Sequence, residues 1–226
     1  MTSGVILPDP RFLKIDDSNR GDHYYLSVDD VCYYVYEYTP GAGFTGDGNQ
    51  LIVNLKKKMD RKARPDWKYK GRAIRTCTAI LSANINEQWL RVGTLVPVPP
   101  SKAQDDPMYD DRIAQVLRGI QRPFAVDIRE LVRQSQSTRA SHESEGDRLS
   151  PDELEAVYSI DEAEVAVREP AKIAVVDDML TTGAHFVAMK RVLSRRFPRA
   201  SIVGIFITRR VLPRPDFPDV ADLVFE

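Results

Sequence analysis

The segment Ile173-Ala-Val-Val-Asp-Asp-Met-Leu-Thr-Thr-Gly-Ala-His185 constrains the fold more than any other stretch of the chain. Its apolar start reads as a strand over 172–177, buried on both faces. Two carboxylates follow, then a small hydroxyl-rich turn, then an amphipathic helix from about Ala184 to Phe197. In a parallel sheet, ligands bind at the carboxyl ends of such strands. Paired carboxylates there can hold sugar hydroxyls, and the backbone N–H groups of a Thr-Thr-Gly turn opening a helix can hold a phosphate. The segment reads as a grip for a phosphorylated ribose.

The flanking sequence supplies the rest of an α/β sheet. Buried strands are predicted at Thr94–Val98 and Ser201–Thr208, with a short one at Phe124–Ile128 and a further one in the tail, Ala221–Phe225. Helices are predicted around Leu51–Met59, Gly71–Asn86 and Asp110–Ile120. The second carries the stripe Ile74, Cys77, Leu81 and Ile85. Alternating strands and helices in the second half argue for a mostly parallel twisted sheet flanked by helices. Residues 1–22 are polar and turn-rich, a poorly ordered leader. Residues 24–38 carry two β-prone runs around Val28-Asp29-Asp30, which predict a β-hairpin. The expected organisation is that leader, an N-terminal hairpin and helical extension over 23–90, and a core over 91–226.

Composition excludes more than it selects. A net charge of −1 gives no global argument for nucleic acid or an anionic membrane. No apolar run approaches the length of a bilayer span, about 20 residues. The start of the chain has neither the basic nor the apolar part of a signal peptide, so a cytoplasmic location is expected. Cys32 and Cys77 stand alone and read as small apolar side chains.

Taken whole, residues 173–185 resemble the PRPP-binding motif of type I phosphoribosyltransferases. By position, the resemblance assigns Asp177 and Asp178 to the ribose hydroxyls. It assigns Thr181, Thr182, Gly183 and Ala184 to the 5′-phosphate, with His185 at the loop's last place. That last place is more often Thr or Ser in the family. His185 is therefore either a charged imidazole assisting the phosphate or a solvent-facing residue of the helix start. Thr181, where purine-salvage members often carry Asp, points to the Thr-Thr-Gly subset that includes orotate enzymes and ComF-like proteins.

The ComF-like resemblance extends through Asn49–Lys58, Leu95-Val-Pro-Val-Pro-Pro100, Leu131–Thr138 with Asp147-Arg148, and Phe206–Arg210. The four-cysteine zinc module of many ComF-like proteins has no counterpart here. Where an Arg-Gly-Phe-Asn run is expected, the chain has Asp106-Pro-Met-Tyr-Asp-Asp-Arg112. Three carboxylates beside a pyrophosphate would repel it unless Mg²⁺ lay between them.

The resemblance implies transfer of a phosphoribosyl group from PRPP to a nitrogenous base, or the reverse, with Mg²⁺ held by Asp177 and Asp178 directly or through ribose hydroxyls and water. Ser101 and Lys102 fall where the pyrophosphate loop is expected, Lys102 offering an ammonium to the leaving group; a surface lysine after a Pro-Pro turn is the alternative. Arg112 is placed in the same pocket. The Arg133–Ser150 stretch, nearly without apolar residues, is a lid carrying Arg139 or Arg148 to the phosphates, or a linker. The cluster Lys56-Lys57-Lys58, Arg61, Lys62, Arg64 suits either nucleic acid or a solvated helix face. Tyr33, Tyr34, Tyr36 and Tyr38 suit sheet packing, with one or two placed to stack on a base. Two other functions fit the same residues: a nucleotide- or PRPP-sensing module without turnover, and a component of a DNA-uptake or anti-phage defence system. A homodimer is compatible with either.

Overall fold

Non-alternating apolar runs become the centre of one sheet. The computed structural model describes residues 10–135, 149–165 and 169–212. Its strands are β1 (Leu13–Lys14), β2 (Cys32–Tyr38), β3 (Thr94–Pro97), β4 (Asp127–Ile128), β5 (Val132–Gln134), β6 (Tyr158–Ile160), β7 (Lys172–Leu180) and β8 (Ser201–Arg210). Six form a sheet in the order β1-β2-β8-β7-β3-β4, parallel except for β1 against β2. β5 and β6 form a separate antiparallel pair. The helices are α1 (Asp47–Leu55), α2 (Lys68–Asn84), α3 (Glu87–Leu90), α4 (Arg112–Arg118), α5 (Pro151–Val157) and α6 (Ala184–Arg196).

Successive residues of a strand face opposite sides, so β7 serves two cores. Ile173 and Val175 pack with Phe186, Met189 and Leu193 of α6. Ala174 and Val176 pack with Ile52 of α1, Cys77 and Leu81 of α2, and Leu117 of α4. The expected mostly parallel α/β sheet, covered by helices on both faces, is therefore present. Residues 23–90 are built into it rather than laid upon it: β2 pairs with β8, and α1 and α2 fill the second core.

The N-terminal third departs from expectation. Only the second β-prone run of 24–38 is a strand. In the first, Ser27 and Asp30 close a turn, the Ser27 N–H donating to Asp30 Oδ2 at 2.8 Å. No 24–38 hairpin forms; β2 instead meets β1, which lies inside the predicted leader. Residues 10–22 are correspondingly tied down. Ile15 is 1% exposed, and its N–H donates to the Cys32 carbonyl at 2.9 Å. An apolar side chain buried beside an edge strand outweighs polar composition.

Elsewhere the differences are of extent. The Phe124–Ile128 strand shrinks to two residues, whereas β7 runs past both carboxylates to Leu180, in register with β8 through Leu180 and Arg209. Ser150 caps α5 in a full capping box with Glu153. Of the 133–150 stretch, Arg133 and Gln134 belong to β5. Residues 136–148, with Arg139 and Arg148, lie outside the described residues, as does the tail strand. Among the described residues no helix is long and apolar enough to cross a membrane.

Candidate functional site

Because β7 continues through the acidic pair, Asp177 and Asp178 do not form one joint clamp. They extend the two alternating rows of the strand: Asp177 follows Ile173 and Val175 toward the α6 side, and Asp178 follows Ala174 and Val176 toward α1, α2 and α4. Both line a cavity of about 370 Å³ at the carboxyl ends of β3 and β7, shared with Lys102, Arg112, Thr181 and His185. The position agrees with the general rule for parallel sheets.

Asp178 is held by cations on both oxygens. Lys56 Nζ lies 2.9 Å from Oδ1; Arg112 donates from Nε at 2.7 Å and approaches Oδ2 through Nη2 at 2.6 Å. Arg112 also reaches Asp110 Oδ2 at 2.9 Å, and the buried Lys70 ammonium meets the same oxygen at 2.7 Å. Lys70 further donates to the carbonyls of Leu55 and Lys57 at 2.7 and 3.1 Å, fixing the end of α1 that delivers Lys56. A chain of charges runs Lys56–Asp178–Arg112–Asp110–Lys70; the first four form one wall of the cavity, and the buried Lys70 backs it.

This wall changes the meaning of the acidic run. Asp110 is neutralised by Arg112 and Lys70, Asp106 accepts from the Met108 N–H at 2.8 Å, and Asp111 starts α4 beside Arg118. The expected repulsion of a pyrophosphate by three free carboxylates is thereby reduced: Asp110 carries two cations, and Asp106 does not line the cavity. Arg112, expected to face a leaving group, spends its guanidinium on two carboxylates. Lys56 and Lys70 are the residues that sequence reasoning missed.

Burial would raise the Asp178 carboxyl, but Lys56 and Arg112 hold it well below the usual range. Asp177 moves the other way: burial first, then the neighbouring Asp178 charge, raises it. Half-buried beside the cavity, Asp177 accepts the Asp178 N–H at 2.7 Å.

The Thr181–Gly183 turn rests on the N-terminal segment. His23, fully buried, donates from Nδ1 to the Thr181 carbonyl, and the Tyr25 N–H donates to the Thr182 carbonyl at 3.0 Å. Burial lowers the His23 pKa, keeping the ring neutral there. Gly183 has φ +89°, and a Cβ on it would lie 2.9 Å from the Leu26 side chain. Gly183→Ala is expected to cost about 1–2 kcal/mol from the left-handed conformation. Thermal denaturation checks this; an unchanged melting temperature would contradict the conformation.

His185 takes neither position expected of it. It lines the cavity rather than solvent, and burial lowers its pKa to about 4, so it is uncharged at neutral pH. Its Nδ1 lies 2.7 Å from the Tyr158 hydroxyl of β6.

Across the cavity, Ser101 and Lys102 follow β3. The Ser101 carbonyl accepts from Gln134 Nε2 at 2.8 Å, tying the loop to β5. Lys102 lines the cavity and has no ion-pair partner among the described residues. The β2 tyrosines do not line it; Tyr109 does. Much of the basic cluster is spent within the fold. Lys56 meets Asp178, while Lys57 and Arg61 meet Asp66 at 3.3 and 2.9 Å.

The donor set does not fit Mg²⁺ coordinated directly by the acidic pair. Both Asp178 oxygens face cations, and among the described residues no three His, Cys, Asp or Glu side chains gather. No protein-family model matches the chain, and no curated protein matches it.

Proposed function

We propose that the cavity binds PRPP and that the protein is a phosphoribosyltransferase-like protein, joining a nitrogenous base to C1 of the ribose with loss of pyrophosphate, or running the reverse. The observation that carries this reading is the convergence on one cavity of Asp177, Thr181 and His185 at the two ends of the turn, and Lys102, from the carboxyl ends of adjacent parallel strands. Asp177 accepts from the ribose hydroxyls, and the turn and the start of α6 hold the 5′-phosphate. Lys102 stabilises charge on the departing pyrophosphate as the C1–O bond breaks and a C1–N bond forms. Tyr109 offers a face to the base.

A second reading, a PRPP- or nucleotide-sensing module without turnover, draws on the closure of Asp178 by two cations, which leaves the sugar one carboxylate. Isothermal titration with PRPP tests binding for both readings. Asp177→Asn should weaken PRPP by about tenfold or more, the worth of a hydrogen bond to a charged group. Lys102→Ala should weaken PRPP while leaving ribose 5-phosphate unchanged. No binding by the wild type would reject both readings. Pyrophosphate release with any of a panel of bases selects transfer, and binding without release selects the sensor.

A further inference from the structure

We propose that Tyr158 is a positioning residue that fixes His185 in the Nε2–H tautomer, making it an uncharged, directional hydrogen-bond donor to the phosphate of the bound sugar. The inference rests on the phosphorylated-ribose reading of the cavity and adds a residue and a protonation state to it. Tyr158 is 7% exposed, and a buried hydroxyl needs an acceptor. Among the described residues its hydroxyl has one partner, His185 Nδ1 at 2.7 Å. The phenol therefore donates, and Nδ1 carries no proton. A neutral imidazole then bears its proton on Nε2, on the side of the ring away from Tyr158.

The charges around the ring keep it neutral. Burial disfavours the imidazolium; Asp178 favours it, and Lys56 opposes it again. Burial and the field of Asp177 both keep the Tyr158 hydroxyl protonated. His185 is the second residue of α6, a 13-residue helix whose N-terminal dipole also repels a positive ring. A phosphate at this helix start would thus meet a neutral N–H, so its binding gains nothing from histidine protonation between pH 5 and 8. Tyr158 reaches His185 from β6, which joins the small second sheet to the first turn of α6.

Long-range ¹H–¹⁵N NMR on the full chain with labelled histidine tests this directly. The sequence holds three histidines, and His185→Gln assigns the signal. The wild type should show His185 with a protonated Nε2 and bare Nδ1 from pH 5 to 8, and Nε2 should shift on adding ribose 5-phosphate. Tyr158→Phe should yield mixed tautomers, a ring that titrates at higher pH, and about tenfold weaker ribose 5-phosphate binding. A wild-type Nδ1–H tautomer, or a ring titrating near 6.5, overturns the inference without needing the variant. Ribose 5-phosphate binding that leaves Nε2 unmoved, or is unaffected in Tyr158→Phe, overturns it while sparing the ribose-phosphate reading. Absent binding overturns both.

Discussion

Arg112→Ala should unfold about 3 kcal/mol more easily than the wild type at pH 8, with the deficit shrinking as the pH falls toward 3. Removing this side chain strips the Asp178 Oδ2 of its guanidinium and leaves Asp110 to Lys70 alone. Asp178 is 4% exposed in its side chain and Arg112 21%, so the lower end of the range for breaking a buried pair applies. The sign with pH follows from linkage. Asp178 is held below its unfolded value of about 3.9, so its stabilising contribution is present above that value. It is lost as the pH falls through the lower native value. Without Arg112 the native value rises, and the variant's Asp178 becomes neutral at a pH where the wild-type pair persists. Asp177 has the opposite sign. Its native value is raised, so it costs stability as the pH climbs above the unfolded value, and loss of Arg112 deepens that cost. Both effects make the variant worst where the carboxylates are charged. Urea unfolding at pH 8, 5 and 3 reads the profile, and adding Asp178→Asn should recover part of the loss at pH 8. A pH-independent deficit would mean that Arg112 acts by packing rather than by charge.

What can be read from the sequence depends on how local the cause is. β7, the Thr-Thr-Gly turn and α6 are specified by consecutive residues, and they lie where expected. The opposed facing of Asp177 and Asp178 is legible in principle, since neighbours on a strand always diverge. A strand taken to end at the carboxylates hides it. Lys70 is legible too: it falls in line with Ile74, Cys77 and Leu81, and a lysine on an apolar helical stripe calls for a buried carboxylate. Its partner, Asp110, looks like a free charge until the two are brought together. Lys56 carries no such mark, because a basic run on a helix end looks solvated until the distant Asp178 meets it. β1 is illegible for a different reason. Two residues have no periodicity, and Leu13–Lys14 becomes a strand through its neighbour β2.

The same substitution, glycine to alanine, should have opposite signs in the two helices that build the cationic wall. Gly48 lies in the first turn of α1, against β2. A Cβ there would sit 2.1 Å from the Glu37 carbonyl oxygen and 2.9 Å from Tyr36 Cβ. The closest obstacle is backbone at the end of a paired strand, so no side chain can swing away. α1 must retreat by roughly an ångström to restore contact distance. Asn49, the next residue, resists that retreat: its side chain accepts from the Thr39 N–H at 2.9 Å and donates to the Thr39 carbonyl at 2.8 Å. The expected cost is about 3 kcal/mol, the upper part of the range for overpacking. Gly71, inside α2, is unobstructed: a Cβ there would meet nothing nearer than Arg75 Nη1 at 3.7 Å. Gly71→Ala should therefore stabilise by about 0.5–1 kcal/mol through helix propensity. The pair separates close approach from generic glycine effects in one urea-unfolding comparison. Gly48→Ala should also reach the cavity, because Lys56 directly follows α1 and the Leu55 carbonyl receives Lys70. With Lys56 withdrawn, Asp178 loses one of its two cations and leaves uncompensated negative charge beside the polyanionic ligand. That charge outweighs any hydrogen bond Asp178 could accept, so PRPP affinity should fall in Gly48→Ala but not in Gly71→Ala. A Gly48→Ala protein as stable as the wild type would show that α1 does not seat on β2 through this contact. A destabilised one with unchanged PRPP affinity would uncouple the seat of α1 from the charge wall.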